Sequence, residues 1–225
     1  MKKLILFDID GTLIRGSKAH HDSFSTAFKK VFGVDVEIEE INPAGKTDRR
    51  IIFEALKKKG IKRKDVEKNF DEIRKVMVSH FKRNLKNDPY LKLIPNSKKL
   101  VEELAKDNIL GIITGNLREI AKLKLKKVGL LKYFKVIGSG ENSENRNYVL
   151  KKTIELAEKR FGIKFPKDQI FIIGDTPKDI ECRKFGRVIA VSTGPYNYKT
   201  LKKYKPDFIF KDFSRIDKIL EILKA

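Results

Sequence analysis

The sequence predicts an α/β fold, a doubly wound parallel sheet with a small helical cap inserted after its first strand. Three observations carry that expectation. The chain opens on an unbroken apolar run, Leu4-Ile5-Leu6-Phe7, that stops at two acids one residue apart, Asp8 and Asp10, and strands buried in parallel sheets read as continuous apolar runs. The construction recurs twice, where Leu110-Gly111-Ile112-Ile113 meets Thr114-Gly115-Asn116 and where Ile170-Phe171-Ile172-Ile173 meets Gly174-Asp175-Thr176. Stretches of helical periodicity separate such runs beyond residue 90, the alternation expected of a sheet covered on both faces.

In chain order, Asp10-Gly11 is a turn signal in its own right, so the first strand either simply turns there or delivers its acids into a crevice. Residues 17–88, entered near Gly16, lack strand alternation and are expected to form the cap. Within them Gly45-Lys46-Thr47-Asp48-Arg49 leads into a helical run from Ile51 to Leu56, capped by Thr47 or Asp48. Val66, Phe70, Ile73, Met77, Phe81 and Leu85 recur at three- and four-residue steps and predict one amphipathic helix. Asn87-Asp88-Pro89 ends it, because the residue before a proline is pushed out of helical geometry. The core is then 1–16 and 89–225, with strands at 110–114, 134–137, 170–174, 187–192 and 207–210. Asn116-Leu117-Arg118-Glu119 reads as a helix start with Asn116 as its cap, and Thr176-Pro177-Lys178-Asp179 as another. In open parallel sheets the ligand site lies beyond the carboxyl ends of the strands, so Asp8, Asp10, Thr114 and Asp175 are expected to share one pocket.

Composition narrows the partners. With 51 basic and 30 acidic side chains the net charge is +21, which would suit a nucleic-acid binder. The runs Lys57-Lys58-Lys59, Lys62-Arg63-Lys64 and Lys122 to Lys127 carry no interleaved aromatics that stack on bases, and solvated helix faces account for them better. The excess positive potential would also draw in anionic esters. No run reaches the roughly 20 apolar residues of a membrane span, and the chain goes straight into its first strand, so a soluble, cytoplasmic protein is expected. Abundant charge with few Gln, Cys and Met residues follows thermophile habit. Cys182 stands alone and suits packing. His20, His21 and His80 lack a third ligand at suitable spacing and read as hinge-side surface residues.

At these motifs the chain resembles the haloacid dehalogenase superfamily, specifically its phosphatases related to phosphoglycolate phosphatase. Asp8, Asp10, Gly11 and Thr12 match the first motif, Thr114 the second, Arg146 the third and Gly174-Asp175-Thr176-Pro177-Lys178-Asp179 the acidic fourth. The resemblance covers residues 1–16 and 90–225 and implies a Rossmann-like core with a helical cap. It implies a phosphomonoester hydrolase acting on a small soluble phosphate ester through an aspartyl-phosphate formed on Asp8, with Asp10 as acid and base. Its nearest rival is a sugar phosphomutase of the same superfamily, and a non-catalytic nucleic-acid binder stands outside the class.

Oxygen ligands at Asp8, the Asp10 carbonyl and Asp175 suit octahedral Mg²⁺, while Asp179 binds a metal water, orients Asp175 or serves its helix cap. Thr114 is freed for the phosphoryl group by the better cap at Asn116. It is expected to bind phosphate with Thr12, Gly115 and Asn116 near a helix N-terminus. Arg146 would neutralise developing charge, with Lys151 and Lys152 as alternatives. Lys46 and Arg49 either grip a second substrate anion or are ordinary charges at a helix start.

Overall fold

The structure, a computed structural model, describes residues 2–224. Strand β1 (Leu4–Phe7) is followed by helices α1 (Lys18–Phe32), α2 (Asp48–Lys58), α3 (Arg63–Lys68) and α4 (Phe70–Asn84). Then come α5 (Ser97–Leu104), β2 (Ile109–Thr114), α6 (Arg118–Lys127), β3 (Phe134–Ser139), α7 (Arg146–Phe161) and β4 (Ile170–Gly174). The chain closes with α8 (Pro177–Ile180), β5 (Arg187–Val191), α9 (Tyr198–Lys203), β6 (Phe208–Phe210) and α10 (Ile216–Lys224).

The strands form one parallel sheet in the order β3-β2-β1-β4-β5-β6, the doubly wound arrangement expected. Side chains of a strand alternate between faces, and the two cores follow that alternation. Ile5, Phe7, Leu110, Ile112, Phe171 and Ile173 pack under α5, α6 and α10. Leu4, Leu6, Ile113, Ile170, Ile172 and Val188 pack under α7, α8 and α9. Connections from β1 and β4 diverge to opposite sides of the sheet, so a crevice opens between their carboxyl ends. Phe7 is in register with Ile112 of β2 and Ile173 of β4, and the residues that follow all three therefore emerge at one level.

Helices α1 to α4 enclose a further core in which Phe24, Phe28, Ile52, Leu56, Ile73, Met77 and Phe81 meet Leu117, just before α6, and Ile120 within it. The two crossings between helices and sheet are tied together by Asp88, which accepts from the Ser17 hydroxyl at 2.5 Å and from the Ala19 amide at 2.9 Å.

Some boundaries differ from expectation. The periodic stretch from Val66 to Leu85 is two helices broken at Asn69, whose side-chain amide donates to the Asp65 carbonyl at 2.8 Å and so competes with the backbone ladder. The last turn, Leu85–Asn87, tightens to a 3-10 helix. Strand β3 runs on to Ser139, while β6 starts only at Phe208, because Asp207 turns its carboxylate to the Val188 amide at 2.8 Å.

Candidate active site

The carboxyl ends of β1, β2 and β4 meet the helical layer around a cavity of about 470 Å³ lined by Asp8, Asp10, Thr114, Gly115, Asn116, Arg146 and Asp175 from the sheet side, and by His20, Lys46 and Asp48 from the helices. Its size is that of a small-molecule site. The Asp10-Gly11 turn and the acidic site are one object. Gly11 has φ +82, and a side chain there would put Cβ 2.3 Å from Asp175 Oδ2, so the glycine both turns the chain and makes room for the second acidic loop.

Two environments divide the acids. Asp8, Asp175 and Asp179 offer carboxylate oxygens that all lie within 4.8 Å of one another. Arg146, buried at the start of α7, bridges two of them, 2.8 Å from Asp8 Oδ1 and 2.6 Å from Asp179 Oδ1. Asp179 is fully committed, since its other oxygen accepts from the Thr176 amide and hydroxyl at 3.0 and 2.7 Å in the capping box that the sequence suggests. Thr12 donates to Asp175 Oδ1 at 2.7 Å and does not line the cavity, so its local task is to orient Asp175. The remaining oxygen, Asp175 Oδ2, is buried without a hydrogen-bond partner.

Three carboxylates against one guanidinium leave excess negative charge in a desolvated place. Loss of solvent pushes Asp8 up to about 7 in spite of the adjacent Arg146. Asp175 rises well above its usual value for the same reason, reinforced by the Asp8 and Asp179 charges. Hard oxygen donors, an orphaned buried oxygen and mutual repulsion are what a divalent cation would relieve, so these residues fit one.

Without a bound cation the native cluster keeps a proton that the unfolded chain, with carboxyls near 3.8, gives up. Its stabilisation is full below about pH 4 and is lost as pH rises through about 7. Melting in chelator should therefore show a loss of roughly 2–4 kcal/mol across that window relative to melting with a saturating divalent cation. A gap between the two curves that narrows with rising pH would contradict it.

Asp10 stands apart from this cluster. Lys124 Nζ, from α6, lies 2.8 and 2.7 Å from its two carboxylate oxygens. Burial is the strongest single influence and pushes the Asp10 carboxyl up, but the nearby positive charge, Lys124 foremost, and the hydrogen bonds from Lys124 and Asn116 together outweigh it and hold the group below its ordinary value. Lys124 also reaches Asn116 Oδ1 at 2.9 Å and His20 Nδ1 at 3.0 Å. In the basic run Lys122 to Lys127, expected to be a solvated face, Lys124 is the exception, with no exposed side-chain surface. Helical phase carried the signal, because Ile120, Ala121, Lys124 and Leu125 form the buried stripe of α6.

His20 is likewise buried at this junction rather than on the surface, with Nε2 3.0 Å from Asp48 Oδ2. His80 sits on α4 with Nδ1 3.1 Å from the Thr26 hydroxyl. Asn116 does not cap α6, since Lys124 takes its side chain. The exposed α6 terminus is completed from elsewhere: the Leu117 amide donates to Asp48 Oδ2 at 2.7 Å and the Arg118 amide to Glu141 at 3.0 Å. Thr114 is buried, and its hydroxyl oxygen accepts the Asn116 amide at 3.2 Å.

The loop before α2, with Thr47 as the N-cap of that helix, presses on the sheet side. The Asp48 amide donates to the Gly115 carbonyl at 2.7 Å, and a Cβ on Gly115 would fall 2.1 Å from the Lys46 carbonyl. Lys46 lines the cavity, with its ammonium bound to Glu54 at 2.5 Å and to the Ile41 carbonyl. Arg49 lies outside the cavity lining, bonded to Glu67 and stacked 4.4 Å over the Phe70 ring. Lys151 and Lys152 point away on exposed faces of α7. Cys182 is buried, and loss of solvent pushes its thiol up to about 12, consistent with packing. No helix among the described residues is long and apolar enough to cross a membrane.

Comparison with known proteins agrees with this geometry. The family described as haloacid dehalogenase-like hydrolase matches residues 5–191. Phosphoglycolate phosphatase of Aquifex aeolicus is 28% identical over 97% of this chain and 97% of its own length. Pyrophosphatase PpaX of Oceanobacillus iheyensis is 26% identical over 95% of this chain and 94% of its own. The crystal structure of a predicted phosphoglycolate phosphatase from Haemophilus somnus superposes with a TM-score of 0.71 at 25% identity, over 97% of this chain and 98% of that one. The chain therefore belongs to the haloacid dehalogenase-like hydrolases, among their phosphatases.

Proposed function

We propose that this phosphatase is a Mg²⁺-dependent phosphomonoester hydrolase of a small organic phosphate of the phosphoglycolate type, working through an aspartyl-phosphate on Asp8, with residues 17–88 as its cap. The observation that carries the reading is the division of the Asp-x-Asp pair between two cations, Arg146 on Asp8 and Lys124 on Asp10. Environments that drive two neighbouring carboxylates apart mark separate chemical roles.

In the first half-reaction an Asp8 oxygen bonds to phosphorus and the bond to the ester oxygen breaks; Asp10, a carboxylate in the free protein, takes up a proton as the phosphate dianion binds beside it and gives that proton to the departing oxygen. In the second, water attacks phosphorus, Asp10 takes the water's proton, and the bond to Asp8 breaks to release inorganic phosphate. Arg146 balances charge on the equatorial oxygens beside Asp8. Thr114 and the Gly115 turn hold the phosphoryl group. A Mg²⁺ held by Asp8, the Asp10 carbonyl and Asp175, with Asp179 behind it, would neutralise the meeting of carboxylate and phosphate. The cap loop at Gly45 to Asp48 excludes bulk water from the phosphorylated aspartate.

One observation favours a second substrate. Asp10 held as a carboxylate in the free protein, Lys124 beside it, suits a leaving group that needs little protonation, and pyrophosphate, suggested by the name of the pyrophosphatase PpaX relative, has one. Phosphate release from phosphoglycolate, pyrophosphate and p-nitrophenyl phosphate, each with Mg²⁺ and with chelator, tests both. No cation-dependent release from any of them, together with no binding of fluoroberyllate, an aspartyl-phosphate mimic, would refute the function.

Recognition of a second anion rests on Lys46, the cation of the expected pair that lines the cavity. Lys46→Ala should lower kcat/KM for phosphoglycolate about 10–100-fold and leave p-nitrophenyl phosphate nearly unchanged. Arg49→Ala should affect the two esters alike while loosening the α2–α4 packing by about 1 kcal/mol. Parallel losses from Lys46→Ala would reassign that lysine to the cap.

A further inference from the structure

Arg15, Lys46 and Arg146 line the cavity together with the acids Asp8, Asp10, Asp48 and Asp175. Two of these cations are already committed. Arg146 is bonded to Asp8 and Asp179, and Lys46 to Glu54 and the Ile41 carbonyl. Arg15 differs, because its side chain is exposed and has no ion pair or hydrogen bond with any of the described residues.

An unpaired arginine on open surface is ordinary. What separates this one is how its backbone is held at the site. The Gly11 amide donates to the Ile14 carbonyl at 2.7 Å, the Ile14 amide to the Ile9 carbonyl at 3.0 Å and the Arg15 amide to the Lys92 carbonyl at 2.9 Å. Ile14 is also bridged to Asp10 and to Leu93. The knot that sets Asp10 and Gly11 therefore sets Arg15 as well, and only at Gly16, with φ +153, does the chain leave for α1. Arg15 belongs to the sheet side of the cavity, whereas Lys46 rides on the loop before α2.

The acids make this cavity a poor place for a second substrate anion. Arg146 serves Asp8, Asp179 and the phosphoryl group, and Lys46 shares its charge with Glu54. A negative group on the leaving side of the ester needs counter-charge that no protein carboxylate has claimed. Arg15 has it, in a planar fork that matches a carboxylate with two parallel hydrogen bonds.

We propose that Arg15 is a specificity-determining residue, the sheet-side contact for a carboxylate on the leaving group, so that the cavity selects phosphate esters of hydroxy acids over those of neutral or amino alcohols of the same size. The proposal rests on the reading of this cavity as a phosphomonoester hydrolase site and adds a charge requirement to it.

The test uses three alkyl phosphates of similar size, phosphoglycolate, ethyl phosphate and phosphoethanolamine, whose leaving groups are anionic, neutral and cationic. Arg15→Gln should lower kcat/KM for phosphoglycolate about 5–20-fold, between the worth of a charged hydrogen bond and that of an exposed ion pair, and leave ethyl phosphate within about twofold. Arg15→Lys should stay within about threefold of wild type on phosphoglycolate, because it keeps the charge and loses only the fork. Arg15→Glu should turn the preference over, raising kcat/KM for phosphoethanolamine about 5–20-fold above wild type. All three variants should melt with wild type, since the side chain holds no other part of the folded protein.

An unchanged ratio of phosphoglycolate to ethyl phosphate in Arg15→Gln, or no gain on phosphoethanolamine in Arg15→Glu, would overturn the proposal. Equal losses on all three esters would overturn it too, by giving Arg15 to the phosphoryl site. Wild type that turns over no ester and binds no fluoroberyllate overturns the hydrolase reading and this proposal together. Wild type that is active on p-nitrophenyl phosphate but blind to charge across the three alkyl esters overturns this proposal alone.

Discussion

Asp8→Asn should abolish turnover, by roughly 10³–10⁶-fold, the scale of losses when a nucleophile is removed, and should raise rather than lower the stability of cation-free protein. The amide keeps the shape of the carboxylate but cannot attack phosphorus. Arg146 keeps Asp179 as its partner at 2.6 Å, and the like-charge repulsion that helps push Asp175 upward loses a contributor. The melting temperature in chelator should therefore climb, while the fluoroberyllate complex of the wild type should have no counterpart. Retained activity above a few percent, after mass spectrometry excludes deamidation back to aspartate, would remove Asp8 from the nucleophile's place. A lower melting temperature in chelator would contradict the charge argument independently.

Asp10→Asn should move stability the other way. It leaves the Lys124 ammonium in a fully buried position without its counter-charge, a situation that costs up to about 3–5 kcal/mol, reduced here to about half because Asp10 itself is 32% exposed. Turnover of alkyl phosphates should slow by roughly 10²–10⁴, the usual scale of general acid–base help. An ester of p-nitrophenol should recover its phosphoenzyme burst, although the later attack of water on the phosphoenzyme stays slow for every substrate. A burst lost equally for both esters would deny Asp10 the acid's role, and an unslowed second step would deny it the base's. The neighbouring aspartates of one motif are thus expected to part on both stability and kinetics, for one physical reason, the cation each faces.

The sheet was legible because its strands are buried on both faces: Leu4-Ile5-Leu6-Phe7 and Ile170-Phe171-Ile172-Ile173 have no polar residue to confuse the reading. The acids that follow could be placed together because the β1–β4 pairing puts the strand ends level. Arg146 was reached through motif order, since nothing in the loop 138–147 announces that its guanidinium turns inward to Asp8 and Asp179. Lys124 and His20 were misjudged for a shared reason. A lysine within a basic run and a histidine in a polar stretch look solvated, and the partners that bury them, Asp10 and Asp48, are 114 and 28 residues away. Asn116 was given a cap it does not form because local pattern cannot foresee that a carboxylate from another helix occupies the terminus first.

That borrowed terminus bears on how such proteins can exchange parts. Helix α6 begins on a carboxylate that belongs to α2, and residue 115 must stay without a side chain for the loop that carries it to fit. A helical insert transplanted from a relative would arrive without matching groups at both places, exposing the start of α6 and stranding the charge on Lys124. Chimeras should therefore tolerate a foreign insert only when positions 20, 48, 115, 116 and 124 travel with it, so the inheritable unit is larger than the insertion and straddles its border.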